Sequence, residues 1–214
     1  MTAGAKPAVQ ARSQETRDRL LAALDDLLKE KPFEAISIAD IAGRARVSPA
    51  SIYQRFNNRD AAIAMLIELY MRRVVEWHRS PRGRVDVRKA GSLKEAIEAV
   101  ALGAWRQIET LGYLMRPAYL YSRLRPDLIG EQWDALQAQA GKGFQGLLAA
   151  FPNELGESDG AQAGQAIAYF INMMFLGRLL HASEGLFSRM TAKRFAAELA
   201  DFVCGYLEQK RRAD

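Results

Sequence analysis

Four arginines, Arg44, Arg46, Arg55 and Arg59, fall between Asp40 and Asp60, and no acidic residue separates them. Guanidinium groups in an acid-free window suit a polyanion, because no neighbouring carboxylate competes for them. On charge alone a solvated basic face reads equally well. The interleaved side chains narrow the chemistry. Ser51, Tyr53, Gln54 and Arg55 take the outer positions of one short predicted helix. Ser and Tyr hydroxyls contact phosphates, while Gln matches adenine and Arg matches guanine in a major groove. An ordinary surface helix would present Glu and Lys there.

Nothing else in the chain offers covalent chemistry. There are two histidines and one cysteine, Cys204, with no glycine-rich phosphate loop and no glycine-flanked nucleophile. No catalytic residue, metal site or cofactor is expected, and the chain does not read as an enzyme. A lone cysteine excludes an internal disulfide and a thiolate cluster and fits a cytoplasmic setting. Residues 1–12 lack the apolar core of a signal peptide. The uncharged stretch Gly160–Gly177 holds Gln162, Gln165, Asn172 and three glycines, so it reads as a buried helix rather than a membrane span.

The elements that must carry the basic window are helical. Leu20, Leu21, Leu24, Leu27 and Leu28 recur on one helical face, and Lys31-Pro32 ends that helix. Ser37 is a natural N-cap with Asp40 three residues later, an acidic variant of the capping box, and Ile38, Ile41 and Ala42 supply an inner face. Ser48-Pro49 restarts the signal, which predicts a third helix from about Pro49 to Phe56 with Ile52 and Phe56 inward. A fourth helix follows over about 59–77. Two short helices joined by a turn, with a helix packed in front, make a helix-turn-helix head.

The run Ser37-Ile-Ala-Asp-Ile-Ala-Gly-Arg-Ala-Arg-Val-Ser-Pro-Ala-Ser-Ile-Tyr-Gln-Arg-Phe56, followed by Asn57-Asn-Arg-Asp60, resembles the DNA-binding head of the tetracycline repressor (TetR) family. Ile41-Ala42, Ala45, Val47-Ser48, Ser51-Ile52-Tyr53 and Phe56 match that pattern in type and spacing. Arg46 departs from it, standing where the family usually has Gly, at a turn position that commonly takes a positive φ. Gln54-Arg55 depart too, so the operator sequence does not carry over. The resemblance implies double-stranded DNA as partner, read as a palindromic operator by a homodimer, with repression as the usual mode and a small-molecule effector. Ser48, Ser51, Tyr53 and Arg59 would contact phosphates; Gln54, Arg55 and Ala50 would face bases. Ser37, Arg46, Pro49 and Asn58 complete the implied DNA-binding set.

The domain reading is a flexible arm at 1–13, the head at 14–78 with its helix-turn-helix motif at 37–56, a basic linker at 79–91, and a helical regulatory and dimerisation domain at 92–214. The net charge of +5 is concentrated: residues 79–89 hold five basic side chains and one acid. Further helices are expected over about 92–114, 115–124, 127–150, 161–182 and 190–211, with no strands, so the fold class is all-α. Trp105, Tyr113, Met115, Tyr119, Tyr121, Trp133, Phe144, Met173 and Phe175 are candidates to line an effector cavity, although each alone reads equally as core. Tyr169, Phe170, Met174, His181, Phe195, Leu199, Phe202 and Tyr206 are candidates for a dimer interface, because the last two long helices are apolar over faces wider than one small body can cover. Two rivals share the same head: a ligand-independent DNA organiser, and a protein-interaction module in which the head has degenerated.

Overall fold

The computed structural model describes residues 5–48, 58–129, 131–155, 160–181 and 189–213. Its elements are α1 (Ala5–Glu30), α2 (Ile38–Ala45), α3 (Asn58–Arg79), α4 (Leu93–Leu124), α5 (Glu131–Ala149), α6 (Pro152–Leu155), α7 (Gly160–Leu180) and α8 (Ala192–Ala213), with single 3-10 turns at Phe33–Ala35, Val87–Lys89 and Pro126–Leu128. No strand occurs among the described residues, and the all-α expectation holds. No helix among them is long and apolar enough to cross a membrane.

Two compact units emerge. One comprises Met1–Val74 with Tyr113–Gly130, the other Val75–Gly112 with Glu131–Asp214. The sequence places the boundary in a linker at 79–91; instead that stretch belongs to the second unit, and residues 113–130 belong to the first. In the first unit Leu24, Phe33, Ile41, Ile63, Leu66 and Leu114 are fully buried, so α1, α2, α3 and the end of α4 share one core. In the second, Leu93, Ile97 and Trp105 of α4 pack with Leu147 and Leu148 of α5, Ile167 of α7 and Leu199 and Val203 of α8.

Three expectations about elements are corrected. Residues 5–13, read as a flexible arm, are helical and open α1. Pro7 is tolerated there because it sits in the first turn, where backbone N–H groups need no intrahelical acceptor. The expected break between 114 and 115 is absent, and α4 runs unbroken through Pro117. That proline costs a helical hydrogen bond to the Tyr113 carbonyl, but Leu114 and Ala118 on either side are completely buried, and their packing holds the helix. Likewise α5 continues past Gly141, Gly143 and Gly146, whose spacing suggests a kink or a division.

Candidate nucleic-acid interface

The first helix of the basic window is defined at both ends. At the start, the Ser37 hydroxyl accepts from the Asp40 backbone N–H at 3.1 Å, and the Asp40 carboxylate accepts from the Ser37 backbone N–H at 2.9 Å. This reciprocal box satisfies two otherwise orphaned donors. Lys31 adds an ion pair to the same carboxylate at 3.0 Å. Together the Ser37 backbone donor, then Lys31 and the Ser37 hydroxyl, hold the Asp40 carboxyl down at a pKa of about 2.

At the other end Arg46 adopts φ 54° and ψ 47°, the left-handed conformation. The Arg46 N–H donates to the Gly43 carbonyl at 3.2 Å and the Val47 N–H to the Ala42 carbonyl at 3.0 Å. That pair of bonds is a Schellman cap, which normally takes Gly because a Cβ is strained there. The chain therefore turns sharply out of α2 and delivers an exposed guanidinium and an exposed Ser48 at the turn. Pro49, Ala50, Ser51, Tyr53, Gln54 and Arg55 lie outside the described residues, and so does the helix expected to carry them. Of Asn58 only the helical backbone is described.

Two further arginines of the window, Arg44 and Arg59, are committed inside the head. Arg44 makes a two-pronged pair with Glu30, 2.8 Å on each arm, tying α2 to the end of α1. Arg59, expected to reach a phosphate, instead turns inward. It donates to the Tyr121 hydroxyl at 2.6 Å and to the Phe33 and Ile36 carbonyls at 3.3 and 3.5 Å. Its guanidinium carbon lies 4.4 Å from the Phe33 ring centre and 5.3 Å from that of Tyr121, and those rings meet edge to face at 5.0 Å. A planar cation between two aromatic faces is held by cation–π attraction as well as by hydrogen bonds. The physical reason is local: in the first turn of α3 the side chain lies within reach of two carbonyls, a hydroxyl and two rings.

Comparisons with known proteins bear on this geometry. Residues 20–64 match the profile of the family described as bacterial regulatory proteins, tetR family. That stretch, the head of the chain, is similar to the DNA-binding region of those regulators. An uncharacterized HTH-type transcriptional regulator of Bacillus subtilis (strain 168), YdeS, is 44% identical over 52 residues, a match spanning 24% of this chain and 26% of the relative. The TetR likeness in sequence thus lies in the head, and about a quarter of the relative's length is covered. For the fold, a Pseudomonas aeruginosa PAO1 protein superposes with a TM-score of 0.64 at 19% identity, covering 92% of both chains. PfmR, a TetR family transcriptional regulator from Thermus thermophilus, gives 0.57 at 20% identity, covering 87% of this chain and 97% of its own. Those two likenesses speak to the fold.

Around the head the structure adds contacts that the sequence did not single out. Asp25 is 2% exposed and accepts from Tyr113 at 2.6 Å, Arg73 at 2.6 Å and Lys29 at 3.0 Å. Burial alone would raise its pKa, but the three donors outweigh that and hold the carboxyl below the ordinary value. Tyr113 is pushed up, by burial first and then by its bond to Asp25. A signal was present in the sequence: Asp25 falls on the same helical stripe as Leu21 and Leu28, where an acid is out of place. Arg125 pairs with Asp60, at the start of α3, and with Asp127 at 2.7 Å.

The residues considered for an effector cavity divide between the units. Tyr113, Met115, Tyr119 and Tyr121 fall in the head's unit; Trp105, Trp133, Phe144, Met173 and Phe175 fall in the other. Trp105 is core: it meets Phe195 at 5.3 Å, donates to Glu109 at 2.8 Å and lies 4.0 Å under the Arg178 guanidinium. Phe144 and Phe175 pack on the same core, Trp133 is buried and Met173 is exposed. Of the interface candidates, Tyr169, Phe170 and Phe202 are 61%, 44% and 43% exposed. They form a ladder with centroid spacings of 5.7 and 5.8 Å. His181 is exposed, and Met174 and Tyr206 are half-buried. Phe195 and Leu199 are corrected: at 5% and 1% exposure they are spent in the core of the chain itself.

Proposed function

We propose that the chain is a transcriptional regulator that binds a palindromic DNA operator as a homodimer, represses, and is released by a small apolar or aromatic effector. The observation that carries this reading is the turn at Arg46. A capped helix and a left-handed exit suit the first helix and turn of a helix-turn-helix, and Arg46 adds an exposed cation at the point of exit. The match of residues 20–64 to a family of regulators supports it. The exposed ladder Tyr169–Phe170–Phe202 supports the dimer, because three large rings left in water on two long helices are an interface in search of a second copy. Release by effector fits the allocation of α4, whose first part lies in one unit and whose last part, from Tyr113, is bonded into the head. An effector that favours one position of α4 shifts the population of heads able to bind.

Binding to genomic fragments at two salt concentrations tests the reading, with Tyr53→Ala plus Arg46→Ala as the comparison. Selection of one palindromic site, a steep salt dependence and loss of binding in the double variant are expected. Binding that ignores sequence, or that survives both substitutions, would exclude it.

A further inference from the structure

The basic stretch 79–89 does not hang as a tether. It is seated on the second unit by two close approaches that only glycine permits. A Cβ on Gly83 would lie 2.0 Å from the Trp77 carbonyl oxygen, and a Cβ on Gly103 would lie 2.6 Å from a Val85 methyl. Ser80 fastens the bend by donating to the Trp77 carbonyl at 2.7 Å and accepting from the Gly83 N–H at 3.1 Å. The stretch and the middle of α4 enclose an open groove of about 760 Å³, lying wholly within that unit. Ligand sites commonly fall between about 300 and 1,000 Å³.

The lining has two characters. Trp77, Val85, Val100 and Ala104 give an apolar floor, and Arg84 and Arg88 stand beside it. Both arginines are exposed. Arg88 is held by Asp86 at 3.1 Å, an exposed pair of the weak kind that an incoming anion displaces readily. Arg84 makes no ion pair among the described residues. A bare polyanion would use the cations but not the floor, and a neutral hydrocarbon would use the floor but not the cations.

We propose that this groove binds a small amphiphile, its apolar body on Trp77, Val85, Val100 and Ala104 and its anionic head, a carboxylate or a phosphate ester, on Arg84 and Arg88. The assignment rests on the effector reading above and gives that effector a site and a chemical class. Guanidinium groups match both head types in bidentate geometry, so the head is left to the measurement to name.

The full chain is titrated with octanoate, octyl phosphate, octanol and inorganic phosphate, by calorimetry and by tryptophan fluorescence. One anion per chain is expected to bind, roughly tenfold or more tighter than octanol, since a charge-assisted hydrogen bond contributes on that scale. Inorganic phosphate, which lacks a body, binds more weakly than octyl phosphate. Arg84→Ala with Arg88→Ala removes the preference for anion over alcohol and leaves thermal unfolding unchanged, because both side chains are exposed. Octanol binding as tightly as both anions, anions binding the double variant as they bind wild type, or no anion binding at all, each overturns the assignment. The DNA arm separates the two readings. Octanoate that binds wild type and loses affinity in the double variant, yet leaves wild type on its selected DNA fragment, keeps the groove and removes the effector role. Release of the double variant from DNA as readily as wild type places the effector elsewhere and overturns the groove.

Discussion

At the scale of single residues, Arg46 combines two demands that usually fall on different positions. The Schellman cap needs a left-handed residue, and a side chain there costs about 1 kcal/mol relative to Gly. Arg46→Gly is therefore expected to raise stability by about 1 kcal/mol in denaturant unfolding. The same substitution should weaken DNA binding evenly across sequences and lower the salt slope by about one, as loss of a single phosphate contact does. A more stable variant with unaltered DNA affinity would reduce Arg46 to a strained cap and nothing more. Among the carboxylates held low in the folded chain, Asp25 and Asp40 contribute to the acid response. Both are held below the ordinary value of 3.8 in the folded chain, Asp40 at about 2. On acidification the unfolded chain takes up these protons first, so the folded state loses ground. The stabilisation is complete above about pH 5 and is lost as pH falls through the ordinary carboxyl range toward 2. Circular dichroism melts across that window should show Tm falling in wild type and falling less in Asp25→Asn, which starts from a lower Tm.

At the scale of elements, α4 belongs to two units, and its last part with the residue that follows it is anchored by three polar ties: Tyr113 to Asp25, Tyr121 to Arg59 and Arg125 to Asp60. Cutting two of them with Tyr121→Phe and Arg125→Ala should raise amide hydrogen exchange over residues 113–124 while residues 93–112, packed on another core, keep their protection. Equal loosening along the whole helix would contradict that division. Arg59 is part of the same anchorage. Arg59→Ala removes three hydrogen bonds and two aromatic contacts and is expected to cost about 2 kcal/mol. Arg59→Lys should not restore it, because an ammonium lacks the planar fork that reaches two carbonyls and a hydroxyl together. Had Arg59 been a phosphate anchor, Lys would rescue and stability would hardly move.

At the scale of the whole molecule, the ladder of Tyr169, Phe170 and Phe202 sets the assembly to be tested. Phe170→Glu with Phe202→Glu would place carboxylates on that face without touching the core, because both rings are already largely exposed. Sedimentation should shift from dimer to monomer, and operator binding should weaken steeply with it, since each half-site alone contributes only part of the affinity. A double variant that sediments as wild type would put the dimer on another face. Phe195 and Leu199 are unsuited to this test, since their loss would leave a cavity in the subunit's own core.

Much of the first unit was legible in the sequence for a local reason. The leucine stripe of α1, the Ser37 cap and the inner face Ile38-Ile41-Ala42 depend on neighbours one to five positions away, and short-range geometry writes them into residue order, whereas the left-handed position at 46 was implied by the family resemblance. The all-α class followed from the same periodicity. The destination of charged side chains was not legible, because it depends on partners far along the chain. Arg59 finds Tyr121 across 62 positions and Asp25 finds Tyr113 across 88. Sequence alone marks an arginine as available to an anion; only the folded chain shows that a carbonyl, a ring or a carboxylate has reached it first. The same holds for α4. A break between 114 and 115 was expected, and the buried Leu114 and Ala118 overrule it, since packing energy outweighs the one helical hydrogen bond that Pro117 forfeits.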